Sequence, residues 1–417
     1  MSSYRQFDKL VPSVCKNNIE ELSKLCDEKQ KNVLTGANFS LPLEQYSLST
    51  IHGIDQGATI TLPTSSLTLM HIAAYCDSLE AFIFLQNKGL PINKQSANSY
   101  LPIHYACLAG SYEVVEYILS VDPSQATVLP QVEYHLIYLA TMSGDPDVLR
   151  LLFKNGADIN AAQNKKNKSV QQAIKTRHVE CLRILLEKGS KNEVDKEQYS
   201  TLMLAIANNE FDAVPLLAES GENLEYVVPG TGETALSLAC FVGHRLTVKY
   251  LCDHMTKVDI DPSFRTKAAV HWVCQSKDPE IVKMVLAKNI NVNRLDQDGH
   301  TGLFYLLDLT DEDNTIKIIE LLYNAGLDLN IQGKSVTGAE VNSILGDFVS
   351  SIHRPTKVIG YLLQNGARAD AKLISQNKRI IDFVQNSRNR KLSEVFKKWV
   401  PELFKQTGRS GRTQIKK

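Results

Sequence analysis

In the stretch "LPIHYACLAG", His104 stands three residues before Cys107, and in "VHWVCQS" His271 stands three before Cys274. An imidazole beside a thiol is the pairing of a cysteine nucleophile with its general base. Histidine and cysteine together are also zinc ligands. Residues i and i+3 share a helix face, so contact within each pair is geometrically open. A nucleophile also needs an orienting third group and a pocket, and a metal needs its ligands to converge on one point. Two further stretches carry chemistry-bearing residues. "GTGETAL" at 230–236 is a glycine-rich run ahead of a helix, which suits an anion, but it lacks the lysine of a P-loop. "DLTDEDN" at 308–314 holds four carboxylates. It lacks the spacing, the glycine and the terminal glutamate of a calcium loop.

What must position these residues is a repeating element. Aligned on the histidine, "LTLMHIAAYC" and "YLPIHYACLA" lie 33 residues apart. Continuing at that step meets Tyr138, Gln171, Met203, Ser237, His271 and Phe304, with successive steps of 33, 34, 33, 32, 34, 34 and 33 counted from His71. Two residues after each anchor sits a small or apolar residue, from Ala73 and Ala106 to Val273 and Leu306. Ten and eleven residues after it come apolar pairs such as Val114 and Val115, followed one turn later by Ile118 and Leu119. That spacing predicts the buried face of a second α-helix. Units close on "GxxxN", as in "GADIN" at 156–160 and "GLDLN" at 326–330, where glycine ends a helix in the left-handed conformation. Each unit is therefore a helix, a turn, a second helix and a loop. Isolated helices under roughly 12 residues are marginal, so stability must come from stacking.

The repeat also accounts for the cysteines. Cys107, Cys240 and Cys274 share the phase of Ala74, and Cys181 and Cys252 fall on the buried face of a second helix. Buried cysteine behaves as a small hydrophobe. His104 and His271 stand five units apart, and packed helices are roughly 10 Å apart, so the two histidines cannot share a metal. We expect no catalytic residue, no cofactor and no metal.

Bulk composition sets the remaining bounds. The chain has 417 residues, 43% of them hydrophobic, and its formal net charge is zero. Charge therefore names no nucleic-acid or membrane partner for the chain as a whole. From Lys378 onward twelve basic residues face three acidic ones, which leaves 34 basic and 43 acidic before that point. A mildly acidic body thus carries a basic end. No apolar run approaches the roughly 18 residues of a membrane span. "MSSYRQFDKL" has no apolar signal core, and Ser2 excludes myristoylation. The expectation is a cytoplasmic chain, with the nucleus open, whose eight cysteines are reduced thiols. No cysteines form a CxxC pair, which weakens zinc-ribbon and thioredoxin readings.

The period of 33 and the stretches "TLMHIAA" (68–74), "LPIHYAC" (101–107), "GADIN" (156–160) and "DQDGHTGL" (296–303) resemble the ankyrin repeat, whose signature is T-P-L-H-x-A. No unit carries the full signature, and only three anchors are histidine. The resemblance covers about three quarters of the chain, on seven steps in register. It implies an all-α fold: a right-handed α-solenoid of stacked helix-turn-helix repeats with short β-hairpin loops. It also implies that the anchor histidines open first helices and bond to the adjoining loops. The expected organisation is a degenerate helical cap at 1–30 and a long loop at 31–65, with "TITLP" as a possible strand. An array of about eight to nine repeats follows over 66–377, then a helical cap at 378–404 and a basic disordered tail at 405–417. After Phe304 the phase slips, and near 335–370 only the second helix, with Val358, Leu362 and Leu363, is legible. Ile380, Ile381, Phe383, Val395, Phe396 and Trp399 are placed to cover the open end of the stack.

The family binds proteins with its hairpin tips and the concave face of its first helices. Four residues before or after the anchors, this register puts Tyr75, Tyr100, Leu108, Tyr134, Met142, Tyr199 and Phe241 at such positions. Aromatic anchors dominate interfaces. Tyr100 and Tyr134 beside Leu108 and Met142 would form one apolar patch, and the competing reading is that the tyrosines pack on the next hairpin. The function expected is a non-catalytic scaffold or adaptor, monomeric, binding another protein and no small-molecule substrate. The alternative is a targeting module whose basic C-terminal segment contacts nucleic acid or an acidic membrane. The third candidate, an enzyme within 31–67 or 331–377, lacks the length for a catalytic domain of its own.

Overall fold

The computed structural model describes residues 10–26, 67–96, 99–127, 132, 134–159, 168–190, 194, 198–258 and 267–406. The long loop at 31–65, with its "TITLP" strand, and the tail from residue 407 onward lie outside the described residues. The chain divides into two compact units, residues 1–193 with 215–221, and residues 194–214 with 222–417.

The first unit opens with helical residues 10–15 and helix α1 (Ile19–Leu25). Four helix pairs follow: α2 (Leu69–Tyr75) with α3 (Leu79–Asn87), α4 (Pro102–Ala109) with α5 (Tyr112–Val121), α6 (Leu136–Ser143) with α7 (Pro146–Lys154), and α8 (Ser169–Lys175) with α9 (Val179–Glu187). First helices pack on first helices, α2 on α4, α4 on α6 and α6 on α8. Second helices do likewise, from α1 on α3 through α7 on α9. The periodicity explains this pairing. In α5, Val114, Val115, Ile118 and Leu119 are all buried, each contributing roughly 1.5–3 kcal/mol through its removal from water. A helix of ten residues gains that only against a neighbour.

Sequence punctuation sets the ends of the helices. Asp145 caps α7, its Oδ1 accepting from the N–H groups of Asp147 and Val148 at 2.8 and 3.3 Å, with Pro146 in the first turn. Gly144 ends α6 in the left-handed region at φ +79°, and a Cβ there would come within 2.5 Å of the His178 ring. Both the turn and the close approach require glycine.

The second unit contains α10 (Thr201–Ala207), the start of α11 (Ala213–Glu219), α12 (Ala235–Val242), α13 (Arg245–His254), α14 (Ala269–Ser276), α15 (Pro279–Leu286), a 3₁₀ turn (Gly302–Leu306), α16 (Glu312–Asn324), α17 (Ile344–Ser350) and α18 (Thr356–Gln364). It ends in a two-stranded antiparallel hairpin, β1 (Lys372–Leu373) and β2 (Lys378–Arg379), then α19 (Ile380–Asn386), α20 (Arg390–Trp399) and α21 (Pro401–Gln406). The phase slip after Phe304 has a structural counterpart: the first helix there is replaced by the 3₁₀ turn. The first helix of the next pair, illegible in the sequence, is α17. Leu392 and Phe396 of α20 are buried and α20 packs on α18, whereas Phe383, Val395 and Trp399 are only half-buried.

Asparagines join successive loops of this unit. Asn293 donates from Nδ2 to the carbonyl of Gly326 (2.8 Å) and accepts from the N–H of Asp328 (2.8 Å). Asn330 repeats the bond pair one unit on, with Gly366 (3.1 Å) and Arg368 (2.8 Å). The asparagine that closes "GLDLN" (326–330), like the one that closes the equivalent "NINVN" (289–293), is thus an inter-repeat clasp. No helix among the described residues is long and apolar enough to cross a membrane.

Candidate functional site

The histidine and cysteine pairs come first. His71, His104 and His271 lie in the first turns of α2, α4 and α14 and are buried. In each, Nδ1 accepts the backbone N–H three residues earlier: Thr68 at 3.0 Å, Leu101 at 3.0 Å and Ala268 at 2.8 Å. That satisfies an amide at the helix start that would otherwise be orphaned. The opposite nitrogen then carries the proton. Nε2 of His71 donates to the Tyr100 carbonyl (3.3 Å), and Nε2 of His271 to the His300 carbonyl (3.2 Å), each on the next hairpin. Nε2 of His104 has no partner among the described residues. Burial lowers all three pKa values, His71 to about 4 and His104 to about 3. Cys107, Cys240 and Cys274 are fully buried, and burial pushes their thiols far above the ordinary range. A neutral, solvent-free thiol is a packing group and a poor nucleophile.

The glycine-rich run is a hairpin turn. Val227 pairs with Thr234, and the Val228 N–H donates to the Glu233 carbonyl at 2.9 Å. Thr234 then opens α12 with a capping box: its N–H donates to Ser237 Oγ at 2.8 Å and its Oγ1 accepts the Ser237 N–H at 3.1 Å. The acids of "DLTDEDN" are likewise engaged. Asp311 caps α16, Lys277 pairs with Asp308 at 2.5 Å and Lys357 with Asp313 at 2.9 Å. Asp296, Asp298 and His300 bring their ligand atoms within 4.8 Å of one another. The Asp296 carboxylate is already occupied by the N–H groups of Asp298 and His300 (both 2.9 Å) and by the Tyr305 hydroxyl (2.7 Å). These bonds hold a hairpin tip.

The residues expected to face a partner separate by burial. Tyr75 is 4% exposed, Tyr100 2% and Met142 8%, which corrects the expectation that they present a free surface. Tyr100 is enclosed by the rings of His104 and Tyr105, with centroids at 5.4 and 6.4 Å, and its hydroxyl accepts the Tyr134 N–H. Tyr134 is half-buried and stacks on Tyr138 at 5.6 Å. The patch of Tyr100 and Tyr134 beside Leu108 and Met142 is therefore largely enclosed in the array, and Leu108 remains half-buried. Tyr199 is half-buried and donates its hydroxyl to Glu233 at 2.8 Å.

Phe241 is different. It is 61% exposed at the end of α12, followed by Val242 at 40% and by Leu246 at 73% in the first turn of α13. At the same turn Phe211 stacks on His244, with centroids 3.5 Å apart and planes within 3°. Arg245 is held by Asp278 through two bonds of 2.6 and 2.9 Å. The register pointed to Phe241 alone of this cluster. Val242 and Leu246 were missed because a helix period marks them only as apolar residues near a turn.

Comparison with known proteins agrees with this architecture. The chain is similar to a transient receptor potential cation channel subfamily A member 1 homolog of Caenorhabditis elegans, at 21% identity over 265 residues, which is 60% of this chain and 22% of that protein. It is similar to the E3 ubiquitin-protein ligase KEG of Arabidopsis thaliana (22% over 289 residues; 58% of this chain, 18% of that one) and to the ankyrin repeat and KH domain-containing protein mask-1 of C. elegans (24% over 279 residues; 58% and 10%). The chain thus spans about a fifth or less of the length of these relatives. The human ASB11 ankyrin repeat domain aligns at 19% identity and TM-score 0.41, covering 62% of this chain and 98% of that domain. The model for ankyrin repeats in three copies matches residues 45–127, 137–228, 194–266 and 224–296. These matches take in more than half of the sequence, and on that ground the chain belongs to the ankyrin-repeat family.

Proposed function

We propose that this chain is a non-catalytic scaffold or adaptor that binds another protein, and that the turn between α12 and α13 is its principal docking point. Ankyrin repeats are general protein-interaction modules. The observation that carries the proposed site is the exposure of three large apolar side chains, Phe241, Val242 and Leu246, within six residues. Scattered exposed hydrophobes are ordinary, but a contiguous apolar group marks an interaction surface. An exposed aromatic among them, with the ion-paired Arg245 in the same turn, matches the aromatic anchors and polar rim of such interfaces.

The test is the double variant Phe241→Ala with Leu246→Ala in the full chain. Partners captured by wild type are identified by mass spectrometry, and the strongest is then titrated as a purified protein against both forms. Affinity should fall by tenfold or more, while the unfolding midpoint stays within the small range usual for surface changes. Equal affinity of the two forms would exclude this turn as the docking point.

A further inference from the structure

Of the eight cysteines, Cys26, Cys107, Cys181, Cys240, Cys252 and Cys274 are buried, whereas Cys15 and Cys76 are half-buried. These two are 61 residues apart in the chain, yet their sulfurs are 3.0 Å apart, with the Cys76 thiol donating to Cys15. Cys15 ends the helical stretch 10–15, and Cys76 is the C-cap of α2.

The two turns that carry them are clamped together. The Ser78 hydroxyl lies 3.5 Å from the carbonyl of Cys15 and 3.4 Å from that of Cys76. Asn17 accepts the Ala81 N–H through Oδ1 at 2.8 Å and donates through Nδ2 to Glu80. The same two links recur one repeat on: the Ser111 hydroxyl bonds the Tyr75 carbonyl at 3.3 Å, and Asp77 accepts the Val114 N–H at 3.3 Å. The N-terminal helices thus sit on the first repeat as one repeat sits on the next. At the next joint the cysteine positions carry other side chains; among the described residues the thiol pair stands at this joint. A disulfide needs sulfurs at about 2.05 Å, so they must close by only about 1 Å.

We propose that Cys15 and Cys76 are a redox modification site, forming a reversible disulfide on exposure to a peroxide and fastening the N-terminal helices to the first repeat. The Cys15 thiolate attacks one oxygen of hydrogen peroxide and the O–O bond breaks. The product is the Cys15 sulfenic acid, and the departing hydroxide takes the proton that Cys15 gave up, leaving as water. The Cys76 sulfur then attacks the Cys15 sulfur. The S–O bond breaks, and its oxygen leaves with the Cys76 proton as a second water. Two thiols lose two electrons and one peroxide becomes two waters. The order of attack follows from the hydrogen bond. As its acceptor, Cys15 is held below the ordinary thiol range, while Cys76, the donor, is held above it. Burial pushes up the thiols of the other six cysteines.

The experiment uses the full chain, reduced and freed of reductant, then treated with a small molar excess of hydrogen peroxide, alkylated and digested without reduction. The thiol titre should fall from eight to six, with one linked peptide joining Cys15 to Cys76 and full reversal by dithiothreitol. Cys76→Ser should stop at a sulfenic acid on Cys15 that a dimedone probe traps. Retention of eight thiols overturns the proposal, as do links spread over other cysteines or between molecules. The wild-type chain carries the decisive reading, so it does not depend on how that variant folds.

Discussion

The hydroxyl of Tyr100 accepts a hydrogen bond from the backbone N–H of Tyr134, 3.2 Å away on the next hairpin. The same tyrosine offers its own carbonyl to His71 of the preceding repeat. One residue thereby ties three consecutive units together. Its ring is buried against His104 and Tyr105 of its own repeat, and its two polar ends bond in opposite directions along the stack.

Removing parts of Tyr100 should therefore cost stability in steps. Tyr100→Phe removes the hydroxyl that accepts from the Tyr134 N–H, for a loss of about 1 kcal/mol. Tyr100→Ala also opens a cavity, for about 3–5 kcal/mol. Urea midpoints of both variants check this. A Tyr100→Ala midpoint equal to wild type would contradict the buried placement.

His104 should behave as a structural residue. Truncation to Ala removes the acceptor for the Leu101 N–H and leaves a void, so a loss of about 2 kcal/mol or more is expected. His104→Asn, which can still offer an oxygen to the same amide, should recover part of it. A midpoint unmoved by the alanine change would refute the capping role.

The buried histidines also set an acid limit. In the unfolded chain each takes up a proton near pH 6.5, whereas in the folded chain His71 waits until about 4 and His104 until about 3. Between those values the unfolded state binds more protons, so stability falls as pH falls below about 6.5. Each histidine adds up to about 1.4 kcal/mol per pH unit to that slope. Denaturant midpoints from pH 7 to 4.5 should fall less steeply for His104→Asn than for wild type. Parallel curves would show that His104 is protonated in the fold.

Asp347 acts in the opposite direction. It lies in α17, where burial raises its carboxyl to about 7, although Asn342 donates to it at 3.1 Å. The unfolded carboxyl ionises near 3.8, so this group weakens the fold progressively as pH rises from there to about 7. Asp347→Asn should raise the unfolding midpoint at pH 8, with the gain shrinking toward pH 4. A gain independent of pH would point to packing instead.

Gly144 and Gly189 share a left-handed backbone, at φ +79° and +78°, but only Gly144 meets a neighbour. Gly189→Ala should cost about 1–2 kcal/mol, the penalty of the conformation. Gly144→Ala should cost more, because its Cβ would collide with His178, which is bonded to the Thr141 carbonyl at 2.9 Å. Equal thermal shifts for the two would mean that the ring moves aside freely.

The repeat was legible in the residues alone because its cause is local. Apolar side chains at helical spacing, small residues such as Ala73, Ala106 and Ala239 at the helix crossings and punctuation every 33 or so residues can serve only stacked helix pairs. The same phase assigned Cys107 to packing and His104 to a helix start. It could not say which way a side chain at a hairpin tip or at the end of a first helix turns. Tyr100 and Phe241 both sit four residues from an anchor, and one is enclosed while the other faces solvent. That choice depends on what surrounds the position in the folded array: two rings of its own repeat and an amide of the next for Tyr100, and solvent for Phe241. Nor could spacing bring Cys15 to Cys76 across 61 residues. The period reports each residue's place within its own unit. The packing of one unit on the next decides which side chains are spent inside and which are left for a partner or an oxidant.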